Sequence, residues 1–295
     1  MELRHFRYFL EVANELSFTK AAAALCIAQP PLSRQIQDLE HELGVKLFIR
    51  NPKSLKLTEE GLLFKQHAQQ ILALVDKSTE EIQELKSGLN GTLFLGSVEG
   101  YGPKLMSEWI RGFQKDYPKV YYNLWNGNSD DVTDRLLKGL CDLAIIAEPY
   151  NAENLEAIHI CREPWVAMIP ADNPLAKEKG KKIKLEKLAS EELIFPSRNS
   201  RIEEIKSWFD EFDTQPVVRC VMSNISNAYE LTEQGIGIAI FPASAVEFTD
   251  PKKVVIKELT EPGRMASYVL VWDKGRMLSN LAKTFVEHIQ KNKRK

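Results

Sequence analysis

Cysteine is sparse: the 295 residues contain four, at 26, 141, 161 and 220. None forms a CxxC pair or a metal-ligand spacing with histidine. This excludes a disulfide scaffold and the common zinc modules. Two readings stay open, buried free thiols in a reducing compartment or a redox-sensing pair. The five histidines, at 5, 41, 67, 159 and 288, are scattered, and no Gly-x-Ser-x-Gly appears. Neither a hydrolase nor a metalloenzyme is indicated, and no cofactor is expected. Long apolar runs are missing too, none approaching the ~20 residues that span a bilayer. Nor does an apolar core follow a basic cluster at the N-terminus, so the chain is expected to stay in the cytoplasm, with no membrane partner. An excess of charge of one sign is also lacking. Lys plus Arg number 39 against 41 Asp plus Glu, a net charge of −2. Any nucleic-acid binding must therefore come from a local patch.

What is present is an ordinary globular composition, 44% hydrophobic and 27% charged, over a length that calls for two or three compact units. Leu3, Phe6, Phe9, Leu10 and Ala13 fall at helical spacing. Ser17 then stands where an N-cap belongs, ahead of "FTKAAAAL". After a short bend a longer helix runs to Leu43, with Gly44 as its C-cap. Leu32, Ile36, Leu39 and Leu43 make one apolar stripe along it, at i, i+4, i+7 and i+11. The alanines allow two helices to cross closely, and Pro30 and Pro31 fit the first helical turn, where a missing N–H costs little. That packing turns Arg34, Gln37, Asp38 and His41 outward, with Gln29 and Ser33 at the leading edge. Gln suits adenine edges and Arg suits guanine edges in a major groove. The bland alternative is a solvated face pairing Arg34 with Asp38 at i,i+4. Next, "VKLFIRNPKSLKLT" reads as a hairpin turning at Asn-Pro. Its charges, Lys46, Arg50, Lys53 and Lys56, are all basic, as a phosphate-contacting wing requires.

Thr58 caps a further helix, with Glu59 and Glu60 favourable in its first turn. Phe64, Ile71, Ser78 and Leu85, with Ala68, Val75, Ile82 and Leu89, form an a/d heptad stripe broken by one polar residue. A dimerising helix of about 45 Å is one reading; packing on its own domain is the other. Beyond Gly91, strands and helices alternate from "TLFLGSV" to "IGIAIFP", the texture of an α/β region with mostly parallel strands.

The segment "MELRHFRYFLEVANELSFTKAAAAL…QPPLSRQIQDLEHELGVKLFIRNPKSLKLTEEG" resembles the N-terminal domain of a LysR-type transcriptional regulator. The order of the elements that follow extends the resemblance over the whole chain. It implies an α+β multi-domain protein: a winged helix-turn-helix at 1–58, a linker and dimerisation helix at 59–89, and a two-lobed α/β effector domain at 92–295, similar to periplasmic binding proteins. Lobe one is expected at about 92–160 plus 266–295, and lobe two at about 161–265. By the same resemblance the helix-turn-helix runs from Phe18 to Gln37. Gln29, Pro30, Ser33 and Arg34 match major-groove contacts, and Arg50 and Lys53 match the wing. The implied partners are a double-stranded DNA operator, a small-molecule co-effector, and a second copy paired through the linker helix, with tetramers common. RNA polymerase joins them if the protein is an activator. One departure is Ala28, where many members carry a capping serine.

Ligands of open α/β folds sit at strand C-termini and helix N-termini. Three loops qualify: "VEGYGPK" with Gly100 and Tyr101, "NGNSDD" with Asn128 and Ser129, and "FPSRNSR" with Pro196, Ser197 and Arg198. "MSNIS" is a fourth wall. The glycines of the first loop could equally serve a tight turn, and Asn128 or Ser129 could simply cap a helix. Lys104, Arg198 and Arg201 favour an organic anion as ligand, while Glu99 argues for an amine or hydroxyl. "EQGIGIAIFP" is not a nucleotide loop, because its glycines precede a strand.

Overall fold

The computed structural model describes residues 1–51, 54–87, 90–246, 250–261 and 263–293. It divides into two compact units, Met1–Lys86 and Ser87–Lys295. The first unit contains α1 (Leu3–Glu15), α2 (Phe18–Ala24), α3 (Gln29–Leu43), β1 (Phe48–Asn51), β2 (Ser54–Leu57) and α4 (Glu59–Ser87). Local chemistry sets the boundaries. The Ser17 hydroxyl accepts from Lys20 N at 3.3 Å and starts α2. Cys26 takes the left-handed conformation at φ 54°, and Ile27 N donates back to Ala22 O at 2.9 Å, which closes the bend. Pro30 and Pro31 sit in the first turn of α3, whose N-cap Ala28 supplies no side-chain bond. Gly44 ends that helix at φ 71°, a conformation that suits glycine. Gly61 N donates to Thr58 Oγ1 at 2.9 Å at the head of α4.

Ala21, Ala22, Leu32, Ile36, Leu39 and Phe48 are buried in a core completed by Phe6 and Phe9. Phe64 stacks on Phe6 at 5.5 Å and meets Phe9 edge-on at 4.8 Å. The heptad stripe is therefore divided between two roles. Of its members, Phe64 and Ala68 complete the core of the domain, joined there by Leu72 from outside the stripe, while Ile71 and Ile82 remain exposed, as does neighbouring Leu74. A period of 3.5 marks an apolar face without saying what covers it. Leu89 lies outside the described residues.

The second unit opens with β3 (Thr92–Val98), α5 (Tyr101–Phe113), β4 (Tyr121–Gly127), α6 (Ser129–Leu137) and β5 (Leu143–Ala147). There follow β6 (Leu155–Pro170), α7 (Pro174–Lys177), β7 (Lys182–Lys184), β8 (Glu192–Pro196), α8 (Asn199–Asp210), β9 (Val217–Met222), α9 (Ile225–Glu233) and β10 (Ile238–Pro242). β11 (Val254–Thr260), β12 (Met265–Asp273) and α10 (Asn280–Lys293) complete it. The strands lie in the order β4-β3-β5-β12-β6-β10-β8-β9, with β11 on β6 and β7 on β11. The outer strands of each half are parallel: β4, β3 and β5 on one side, β10, β8 and β9 on the other. The central β6 and β12 run antiparallel to their neighbours, so the expected mostly parallel texture describes the outer strands only.

β6 is longer than the "PWVAMIP" segment that its apolar run suggested. Residues 155–164 pair with β12, and residues 165–170 pair with β10 and β11. One strand thus serves both halves of the sheet. Parallel strands buried on both faces read as continuous apolar runs, and the five residues of β5 are all buried.

Candidate nucleic-acid interface and candidate ligand cleft

In the first unit, α3 buries Leu32, Ile36 and Leu39 and exposes Gln29, Pro30, Arg34 and Gln37, with Ser33 half-buried. Arg50 reaches back from β1 to this helix. Its Nη1 donates to Ser33 Oγ at 3.4 Å, and its guanidinium lies 4.7 Å from the centre of the Phe18 ring, a cation–π contact. Gln37, Asp38, His41, Lys46 and Arg50 line a groove between α3 and the hairpin. The structure brings these side chains to one face; Lys53 lies outside the described residues.

Glu40 is the residue that the sequence pattern passed over. Its side chain is 1% exposed. One oxygen accepts from Leu47 N at 2.9 Å and Phe48 N at 3.2 Å, and the other takes Lys46 Nζ at 2.9 Å. This carboxylate ties the hairpin to α3, and Lys46 is spent on it rather than left free in the wing. The only signal was a charged residue lying next to the apolar stripe.

In the second unit a cleft lies where β3, β4 and β5 of one half face β8, β9 and β10 of the other. Asn128, Ser129, Pro196, Ser197 and Arg198 line it, with Met222, Ser223 and Ile225 along a further wall. Gly100 and Tyr101 are adjacent to it rather than among its lining residues. Gly100 starts α5 at φ 82°, and a Cβ there would come within 2.9 Å of Ser244 Oγ. Tyr101 packs its ring 5.7 Å from that of Tyr268, and burial raises its phenol above the ordinary range.

Several lining side chains already have protein partners. Asn128 Oδ1 accepts from the amides of Asp130 and Asp131 at 2.9 and 3.0 Å, so it caps α6. Ser129 Oγ bonds both the carbonyl and the amide of Ala147, at 3.2 and 3.1 Å. Arg198 crosses the cleft. Its Nε donates to Asp130 Oδ1 at 2.8 Å, Nη1 to Ala147 O at 3.2 Å, and Nη2 to Pro149 O at 2.6 Å. Arg198, expected as a ligand contact, lines the cleft with its donors engaged by protein acceptors, and it straps one half of the unit to the other. Asn224 Nδ2 makes a weaker contact with Glu99 Oε1 at 3.4 Å, again between halves.

Ser244 and Tyr268 line the cleft, and behind them stands a group that no local motif announced. Glu163, buried on β6, accepts from Ser244 N and Ser244 Oγ, both at 2.7 Å, and from the Tyr268 hydroxyl at 2.5 Å. Burial first, and the Glu163 carboxylate second, push the Tyr268 phenol well above its usual range. Trp165 and Arg201 also line the cleft. Among the described residues no cluster of His, Cys, Asp or Glu could hold a metal ion, and no helix is long and apolar enough to cross a membrane.

Comparison with known proteins agrees with this geometry. Residues 3–62 match the family described as "Bacterial regulatory helix-turn-helix protein, lysR family", and residues 86–294 match "LysR substrate binding domain". The chain belongs to the LysR family of DNA-binding transcriptional regulators and carries that family's effector-binding domain. It is 33% identical to the uncharacterized HTH-type transcriptional regulator YnfL of Escherichia coli, over 98% of each chain. It is 32% identical to the HTH-type transcriptional regulator BenM of Acinetobacter baylyi, over 83% of this chain and 81% of that one. The structure of the LysR family regulator CbnR matches the fold with a TM-score of 0.78, at 24% identity over 99% of each chain. Full-length BenM matches with a TM-score of 0.59, at 28% identity over 99% of this chain and 96% of that one.

Proposed function

We propose that this regulator binds its operators through α3 and the hairpin, and that a small organic anion held in the cleft of the second unit sets its activity. The observation that carries the first half is the exposed polar face of α3, with Gln29, Pro30, Arg34 and Gln37 side by side and Arg50 held against Ser33. Major-groove reading needs just such a set of donors and acceptors at the N-terminal part of a helix. Lys53 extends this set by the family resemblance. The division into lobes near 160 and 265 is supported by strand pairing, because β6 changes partners at 164–165 and β12 begins at Met265. Pro196 and Ser197 are proposed as ligand contacts from the second half. Asn128 and Ser129 shape the opposite wall, beside Gly100 and Tyr101.

The exposed Ile71, Leu74 and Ile82 of α4 support pairing of two copies through that helix, and a dimer of such dimers is the assembly we infer. The site of action is the cytoplasm, with RNA polymerase as a partner if the regulator activates. Genome-wide mapping of bound DNA, followed by mobility-shift titration of the recovered sites, tests the proposal. Arg34→Ala should weaken binding about 10- to 100-fold and relax preference at one base pair, the usual consequence of losing a base contact of 1–3 kcal/mol. Unaltered affinity and site preference in that variant would remove α3 as the reading helix.

A further inference from the structure

The cleft holds a buried cation whose donors are largely unspent. Arg201, in the first turn of α8, has a side chain only 8% exposed. Its Nη1 donates to Glu204 Oε2 at 2.6 Å, which uses one of the five donors of a guanidinium. The group lies over the indole of Trp165, with Cζ 5.1 Å from the ring centre. Trp165 is fully buried, and its Nε1–H has no hydrogen-bond partner among the described residues. A buried indole N–H ordinarily finds an acceptor, because leaving a donor dry costs about 1–3 kcal/mol. The second cation lining the cleft, Arg198, is committed to Asp130, Ala147 and Pro149. The same lining carries apolar side chains, Val98, Met222, Ile225 and Phe241, beside the polar Ser197, Ser223 and Ser244.

A fork of donors beside an orphan N–H matches a planar group that only accepts, and a carboxylate offers two such oxygens in bidentate geometry. The apolar side chains match a hydrocarbon body. Glu99, which lines the cleft, and Glu163 behind Ser244 oppose a second negative charge. We propose that Arg201 and the Trp165 indole N–H hold the carboxylate of a monocarboxylate with an apolar body. This rests on the reading of the cleft as the co-effector site. Glu204 keeps its Nη1 bond and holds the fork in place.

The test titrates the full-length chain with acetate, butyrate and benzoate, and with acetamide, butyramide and benzamide, by calorimetry and tryptophan emission. At least one carboxylate should bind at millimolar concentration or below, and each that binds should do so more tightly than its amide. Arg201→Met should weaken carboxylate binding about 10- to 100-fold, the loss of a hydrogen bond to a charged group, and leave amides nearly unchanged. Trp165→Phe should weaken carboxylates by a smaller factor. Arg201→Lys, which keeps the charge without the fork, should fall between wild type and Arg201→Met, and melting curves establish that each variant is folded. Ser197→Phe, which fills the cleft, should abolish binding of every probe. If no carboxylate binds the wild type, or if amides bind as well, the Arg201 assignment is overturned. The same holds if folded Arg201→Met binds carboxylates undiminished while Ser197→Phe abolishes binding, and the cleft reading then stands. Binding that survives Ser197→Phe removes the cleft reading itself.

Discussion

Replacing Arg198 with methionine should remove the polar strap across the cleft and release its two halves. Three bonds are lost. The contact with Asp130 is half in solvent, since that carboxylate is 65% exposed, and contributes at most about 1 kcal/mol. The bonds to the carbonyls of Ala147 and Pro149 come from a charged donor that is only 9% exposed. At about 1 kcal/mol each, after the carbonyls are rehydrated, the strap amounts to roughly 2–3 kcal/mol. The balance between closed and open forms should therefore move about 30- to 150-fold toward open. Amide hydrogen exchange reads this directly. Segments around 128–131 and 197–202 should exchange faster in the variant without ligand, while the strands of the sheet interior keep their protection. Unchanged exchange in those two segments would refute the strap. A role for Arg198 only as an anion contact predicts that unchanged result, with weaker ligand binding instead.

Glu40→Ala leaves the buried amides of Leu47 and Phe48 without their acceptor and should destabilise the first unit by about 2–4 kcal/mol. Urea denaturation checks it, and an unmoved midpoint contradicts the assigned role. Ile71→Asp with Leu74→Asp places two charges on the exposed face of α4 and should convert dimers to monomers in sedimentation, with operator binding abolished. The Tyr268 phenol is held well above 10 by burial and by Glu163. The folded chain therefore keeps that proton where the unfolded chain begins to release it. Its contribution to stability is complete below pH ~10 and is lost as pH rises through the folded value. Tyr268→Phe should flatten the alkaline limb of the stability curve, and an equally steep limb in the variant would assign the effect to other groups.

The helix-turn-helix was legible because its determinants are local. Ser17, the prolines at 30 and 31 and Gly44 each act within a turn of where they stand, and an apolar period of 3.6 reports the buried face directly. The heptad stripe of α4 was legible as apolar but not as divided, since periodicity is blind to whether Phe6 and Phe9 or a second chain covers Phe64. Asn128 and Ser129 show a different limit. A residue that caps a helix and one that greets a ligand carry the same short polar side chain at the same strand-to-helix junction. The partners of Arg198 could not be read from its neighbours, because its acceptors lie 49 to 68 positions away in the chain. Glu163, Trp165 and Tyr268 owe their importance to a long β6 laid against β12, and the mixed charges of "LEAIHICRE" concealed that strand.

The handover along β6 has a mechanical consequence. The chain passes between the two halves within the ladder at residues 164–165, and returns just before Met265, which pairs with Pro164. The two crossings lie side by side, and Trp165 N donates to Arg264 O across them at 2.9 Å. Adjacent bonded strands cannot slide independently, so they act as a single torsion bar. Relative motion of the halves is thereby reduced from six rigid-body freedoms toward one, a twist about this rung. On the proposed reading of the cleft, an occupant would be transmitted as one angle, and chemically different occupants imposing the same angle would be equivalent to the rest of the molecule.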